Sequence, residues 1–292
     1  MQYLENEHLR VCIDEQGAEI VSLIRKSDGS ECIWEGDPTF WGKHAPVLFP
    51  IIGRLKDQKY TLNHKPYQIS RHGFARDMKF SANQISDTCV TFSICANENT
   101  REMYPYEFEF TVRYTLDGSS LKKEHIVHNQ STETLYYEVG GHDAYRLSFE
   151  HANLTDYYVE FEGMDNLQTI VSDADAFLSQ SHRTLPLDQG RFFLTQESFH
   201  PDTVILEHLP IRRCTLGCTK HDHKIQMDFT DFDYFAMWSP YKSDVDVPFV
   251  CLEPWSTLPD GSYLDDALEN KVGIRKVAPG QSETLSFIIT IS

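Results

Sequence analysis

The stretch FEFTVRYTL, Phe108 to Leu116, limits the possible folds more than any other part of this chain. Phe108, Phe110, Val112, Tyr114 and Leu116 fall on one side of an extended backbone, and Glu109, Thr111, Arg113 and Thr115 on the other. A strict period of two scatters its apolar residues around a helix but lines them up on one face of a strand, so this segment reads as a half-buried strand. Segments of the same β-branched and aromatic texture recur from end to end: Leu9 to Ile13, Glu19 to Ile24, Cys89 to Ile94, Leu121 to His128, Thr134 to Val139, Tyr157 to Phe161, Val204 to His208, Lys224 to Phe229, Tyr234 to Trp238, Phe249 to Leu252 and Leu285 to Ile291. Turn chemistry separates them, as at Asp28-Gly29, Asp117-Gly118, Pro259-Asp260-Gly261 and Pro279-Gly280. Helical signals are short: one turn at Asn99 to Tyr104, stopped by Pro105, and a second over Ser262 to Asn270 with Ser262 as its cap. Many strands and few helices predict an all-β chain built as a large antiparallel β-sandwich. With no linker, composition shift or fixed-period repeat, residues 1–292 are expected to form a single domain.

Charge excludes several classes of partner. The formal net charge is −18, with 44 acidic and 26 basic side chains. Such a chain repels phosphate backbones and anionic bilayers, and no Lys/Arg cluster overcomes this, so neither nucleic acid nor membrane is expected as a partner. No apolar run approaches a bilayer span, and MQYLENEHLRV lacks the basic-then-apolar order of a secretory leader. The seven cysteines are odd in number and scattered. They read as reduced thiols used as small hydrophobes, which points to the cytoplasm.

Four polar clusters interrupt the apolar texture. In HAPVLFPIIGRL, Arg54 follows an apolar run and Gly53. In SRHGFARD, the tight His72-Gly73 step is flanked by Arg71, Arg76 and Asp77. In YYEVGGHDAYRL, Gly140 and Gly141 end a strand just before His142. In FVCLEPWSTLPD, Glu253 stands at the inner end of an apolar strand, beside Pro254 and Trp255. A carboxylate in such a place costs free energy unless it is paired or used. Glu253 is therefore either half of a structural ion pair, with Arg54 as the candidate partner, or a working base. Two histidines, an arginine and a glutamate at strand ends suit general acid/base chemistry on a neutral polar substrate.

Other chemistries find little support. Cys214-x-x-x-Cys218-x-x-His221-x-His223 has zinc-ligand residue types, but the histidines sit two apart in a polar turn and no second CxxC pair accompanies them, so no metal is expected. No phosphate-cradling glycine loop, dinucleotide fingerprint or nucleophile elbow is present, and no cofactor is expected.

The four clusters, in this order, resemble the aldose 1-epimerases (galactose mutarotases), and PVLFPIIGRL, GGH and EPW resemble the LacX-like branch. The resemblance spans essentially the whole chain. It implies a galactose-mutarotase-like supersandwich that binds a small-molecule sugar on one open sheet face, as a monomer or weak homodimer. By motif position it implies His142 as general acid and Glu253 as general base, with Arg54 and His72 contacting sugar oxygens. Asp202, in HPDTVILEHL, is the nearest match to a substrate-binding aspartate. Trp255 stands where galactose mutarotases often have Gln, and it offers an apolar wall to a sugar or to Glu253. Three readings follow: anomer interconversion of a free hexose, the same reaction on a hexose 6-phosphate clamped by Arg54, Arg71 and Arg76, or non-catalytic sugar binding on the same fold.

Overall fold

The computed structural model describes residues 1–292 except Phe149, Ala174 and Ser262. The segment Phe108–Asp117 is a strand whose residues alternate between buried and half-buried, with Phe108, Phe110, Val112, Tyr114 and Leu116 inside. It lies in a nine-stranded antiparallel sheet, running from Arg191–Phe193 through Tyr157–Glu160, Arg213–Cys218, Ile225–Asp228, Ser282–Ile291, Ser120–Asn129, Phe108–Asp117 and Cys89–Cys95 to Ser81–Ser86. A second sheet of eight strands faces it. Its path runs from Leu178–Pro186 through Asn166–Ser172, Val204–Glu207, Tyr234–Trp238, Phe249–Trp255 and Gly140–Gly141 to Val47–Leu48, and Asp143–Arg146 pairs with Phe249–Trp255 beside that path. A four-stranded sheet lies at the N-terminus, Lys59–Leu62 and Lys65–Gln68 form a hairpin, and Leu135–Tyr137 pairs with Arg275–Val277.

The core lies between the two large sheets. Phe49 stacks on Phe110 at 4.3 Å between ring centroids, and Phe235 stacks on Phe229 at the same distance. Such burial is the main favourable term in a fold of this kind, worth about 1.5–3 kcal/mol per large apolar side chain. At one point the sheets approach too closely for any side chain: a Cβ on Gly141 would stand 2.9 Å from the Phe287 ring. The paired glycines are thus a packing requirement.

Across the same gap runs a buried ion pair. Lys123, on Ser120–Asn129, donates to Asp143 at 2.8 Å, and both side chains are fully buried. The ammonium also faces the Tyr114 and Phe287 rings at 5.8 and 5.4 Å. This pins the Gly140–Arg146 region to the opposite sheet.

Alternation sends the other face of the eight-stranded sheet outward. Val250 and Leu252 enter the main core, while Phe249, Cys251 and Trp255 join two smaller apolar clusters on the outer face. One cluster gathers Leu48, Ile52, Ile170, Leu178, Ile205, Ala236 and Trp255; the other holds Trp34, Ala144, Val247, Phe249 and Cys251, with Phe40, Trp41 and Trp238 against them. Polar residues of this face lie between these two walls.

Two sequence expectations change. The strand expected at Phe249 to Leu252 continues to Trp255, so Glu253 lies within it and not at its end. The helix expected over Ser262 to Asn270 is only a 3-10 turn at Leu268–Asn270, and its expected cap, Ser262, lies outside the described residues. Asp265 accepts from the Ala267 amide and the Asn270 side chain, a local turn that competes with helix. The other expected turn forms the helix Glu98–Met103, capped by Asn97.

Candidate active site

The ladder itself brings His142 and Glu253 together. Gly140 is registered opposite Trp255, and Asp143 opposite Leu252. Carrying that register through the two intervening positions sets Gly141 against Pro254 and His142 against Glu253. Pro254 has no N–H to give, so the ladder is interrupted here. By parity, His142 and Glu253 both project from the outer face, flanked on it by Ala144 and Cys251, which are also registered opposite each other. His142 Nε2 and Glu253 Oε2 stand 3.4 Å apart, and both side chains are nearly inaccessible.

The strand ends are fixed on either side. The Val139 amide donates to Ser256 Oγ at 2.9 Å, and the Ser256 amide to the Val139 carbonyl at 3.0 Å. The His142 amide donates to the Pro46 carbonyl. Trp41 stacks on the His142 ring at 4.9 Å, and Trp238 meets it edge-on at 5.6 Å. The indole of Trp34 donates to the Trp41 carbonyl and holds that residue in place.

His72 reaches the site through a backbone conformation that side chains seldom adopt, at φ +64°. The segment is held by the His72 amide donating to the Gly53 carbonyl and by close contact at Gly73, where a Cβ would lie 2.2 Å from the Phe49 carbonyl oxygen. The Gly53 amide donates to His72 Nδ1 at 3.1 Å. Nδ1 is therefore the acceptor and Nε2 carries the hydrogen. Burial, with the neighbouring His142 and the charges of Arg71 and Arg76, holds the His72 pKa well below its ordinary value. His72 is thus a neutral donor, edge-on to His142 at 5.5 Å.

These residues surround a cavity of about 250 Å³, whose lining includes His72, His142, Glu253, Trp255, Asp202 and Arg71. That is slightly smaller than the roughly 300–1,000 Å³ of typical small-molecule sites. Trp41, Trp238 and Arg76 also line it. Arg71 approaches Asp202 at 4.0 Å. Burial raises the Asp202 pKa, an effect partly offset by Arg71.

Burial dominates the electrostatics of the central pair. It lowers the His142 pKa to about 3, helped by the positive charges of Arg71 and Arg76. It raises the Glu253 carboxyl well above the usual range, against the pull of Arg71. Burial thus favours the uncharged form of both groups, a neutral His142 and a proton on Glu253. Moving it across 3.4 Å to His142 yields the ion pair, favoured once polar groups solvate the carboxylate.

Of the sequence candidates, His72, His142, Asp202, Trp255 and Glu253 converge on this cavity, and Arg54 does not. Gly53 turns the chain at φ +67°, packed so closely on Pro259 that a Cβ would lie 2.6 Å from the proline ring. Arg54 then points to Asp175 at 3.8 Å and over the Phe177 ring, so its expected ion pair with Glu253 is absent among the described residues. Arg71 holds the position near the carboxylates instead. In the Cys/His segment, Cys214 and Cys218 pack in the main core, while the His221 and His223 rings lie 4.9 Å apart, His221 against Tyr157 and His223 paired with Asp28. Trp41 and Trp238 were not singled out from the sequence. Period-two alternation with Tyr234 and Ala236 puts Trp238 on the outward face, while Trp41 sits on a loop that leaves no such signal.

The comparisons with known proteins agree with this fold. Residues 2–267 match the family model for aldose 1-epimerase. The chain is 34% identical over 297 aligned residues to plasmid-encoded and chromosomal protein LacX of Lactococcus lactis subsp. lactis, covering 99% of this chain and 98% of each relative. Among solved structures, a galactose mutarotase related enzyme from Lactobacillus acidophilus superposes with a TM-score of 0.92 at 32% identity, covering 100% of this chain and 97% of the other. A galactose mutarotase-like protein from Lactobacillus casei gives 0.91 at 32% identity, with full coverage of both.

Proposed function

The chain belongs to the aldose 1-epimerase family, and from that premise we propose that it interconverts the α and β anomers of a free hexose by general acid/base ring opening. The observation that carries this reading is the cross-strand pair His142 and Glu253, two groups 3.4 Å apart that line a small cavity. Opening a cyclic hemiacetal needs one such group without a proton and one with it. Glu253, as carboxylate, takes the proton of the anomeric hydroxyl. His142, as imidazolium, protonates the ring oxygen while its bond to the anomeric carbon breaks. Rotation about the adjacent carbon–carbon bond presents the other carbonyl face, and the two transfers reverse. After ring opening the proton is on Glu253 and His142 is neutral, which is the arrangement that burial favours in the free site. The enzyme thus meets the open-chain aldehyde in its preferred protonation state.

The other groups act on orientation and charge. His72 presents its Nε2 hydrogen as a neutral donor to a sugar oxygen, Arg71 and Asp202 hold hydroxyls, and Trp255 and Trp41 supply the apolar walls against which a pyranose face packs. None of these roles calls for a metal or redox cofactor.

A second reading keeps the reaction and changes the substrate to a hexose 6-phosphate. It is favoured by Arg71 and Arg76, which both line the cavity and whose Nε atoms have no hydrogen-bond partner among the described residues. Polarimetry on freshly dissolved α-D-glucose, α-D-galactose and glucose 6-phosphate tests both. A rate above buffer for the free sugars supports the main reading, and acceleration of the phosphate ester alone replaces it with the second. Sugar binding with buffer-level rates throughout makes the protein a binder.

A further inference from the structure

One buried nucleophile in this site has no part in the sugar chemistry. Cys251 stands two residues before Glu253, on the same outward face, and is fully buried as a free thiol. One ligand-capable atom each from Cys251, His142 and Glu253 lie within 4.8 Å of one another. Glu253 Oε2, which faces His142 Nε2, is buried without a hydrogen-bond partner among the described residues. Sulfur, imidazole nitrogen and carboxylate oxygen are the donor types of zinc, and bonds of about 2.0–2.3 Å in tetrahedral geometry put ligand atoms about 3.3–3.6 Å apart. The His142–Glu253 separation of 3.4 Å already meets that spacing. The cavity above the pair leaves the fourth position to water, as in zinc sites with three protein ligands.

We propose that Cys251, His142 and Glu253 form a binding site for a thiophilic divalent cation of the zinc class, seated between the acid and the base so that the cation and the sugar exclude each other. Binding forms one metal–sulfur, one metal–nitrogen and one metal–oxygen bond. The protons of the Cys251 thiol and the Glu253 carboxyl leave to solvent. A neutral thiol, imidazole and carboxylic acid become a thiolate, an imidazole and a carboxylate around a dication, so the buried site stays neutral and the exchange avoids the usual cost of burying charge. The exclusion of sugar rests on the function proposed above; the binding of the cation does not.

The test titrates cadmium into the metal-free protein and follows the ultraviolet thiolate-to-cadmium charge-transfer band. The expected result is a band that saturates at one equivalent and is displaced by zinc. It is lost in Cys251→Ala and kept in the double variant His221→Ala/His223→Ala. Glu253→Gln, which keeps the shape of the site, weakens cadmium affinity by at least about tenfold, the scale on which metal sites respond even to lost supporting contacts. Glucose lowers the apparent cadmium affinity of the wild type. In the activity arm, zinc slows anomer exchange by the wild type, while Cys251→Ala requires at least about tenfold more zinc for the same inhibition. A band that is missing in the wild type, that survives in Cys251→Ala or that is indifferent to Glu253→Gln overturns the site. Intact cadmium binding with no effect of glucose overturns the exclusion claim alone. Buffer-level mutarotation beside an intact, Cys251-dependent band overturns the proposed reaction and leaves the metal site standing.

Discussion

Lys123→Met is the sharpest structural perturbation available, because it strands a carboxylate directly beside the acid/base pair. Lys123 and Asp143 are both fully buried and joined at 2.8 Å, and Asp143 follows His142 in the chain and is registered opposite Leu252, which precedes Glu253. Removing one partner of a buried pair costs about 3–5 kcal/mol, whereas replacing both with apolar residues of similar volume is often neutral. The cation also sits over two aromatic rings, so the upper part of that range is expected. The pH dependence gives the result a sign. Even with Lys123 beside it, burial raises the Asp143 carboxyl above its usual range. A carboxyl with a folded pKa above its unfolded value of about 3.9 binds more protons when folded, so its contribution falls as pH rises through that window. Losing Lys123 removes the influences that lower the folded pKa, which deepens the fall and extends it upward. Urea unfolding of the variant should therefore show a deficit of about 4 kcal/mol near pH 7 and a smaller one near pH 5. The double variant Lys123→Met/Asp143→Leu should recover most of the loss. A single-variant deficit under about 1 kcal/mol, or one that does not change with pH, would refute the reasoning.

Three further outcomes follow from the geometry. Gly141→Ala forces a methyl to within 2.9 Å of the Phe287 ring, and thermal melts should show a loss of about 1–3 kcal/mol, as for an overpacked core. Arg71→Ala should weaken sugar affinity by roughly tenfold to a hundredfold in calorimetry, the worth of a charge-assisted hydrogen bond. By contrast, Arg54→Ala, which removes a half-exposed pair with Asp175 and a contact with the Phe177 ring, should leave affinity within about twofold. The pH profile of kcat/KM should lack an inflection near the ordinary histidine value of about 6.5, because burial holds His142 at about 3. Its acid limb should fall near that lower value, and its alkaline limb should report the raised Glu253 carboxyl.

Much of the fold was legible because a period of two survives in the sequence wherever one strand face is buried. Phe108 to Leu116 shows this residue by residue. Pairing was not legible. The opposition of His142 to Glu253 depends on which strands become neighbours across more than a hundred residues, and no local pattern encodes that. The end of the Phe249 strand was misplaced because Glu253 and Pro254 read as strand breakers; the pair is accommodated where a neighbouring glycine and a ladder interruption coincide. Arg54 misled for a related reason: sequence places a side chain near a motif, but the left-handed turn at Gly53 decides where it points. Lys123 belongs to the same class. It occupies a core-facing position by strict alternation between Leu121 and His125, yet its charge argues for solvent until Asp143 is seen across the sheet.

The central claim is that the His142–Glu253 pair opens and recloses a sugar ring. Exchange NMR that resolves the α and β anomers of glucose at equilibrium, comparing wild type with Glu253→Gln, tests it most directly. Wild type should show exchange well above the buffer rate, and a Glu253→Gln protein that melts normally should lose about a hundredfold to ten-thousandfold of it. Wild-type exchange rates in that folded variant would contradict it.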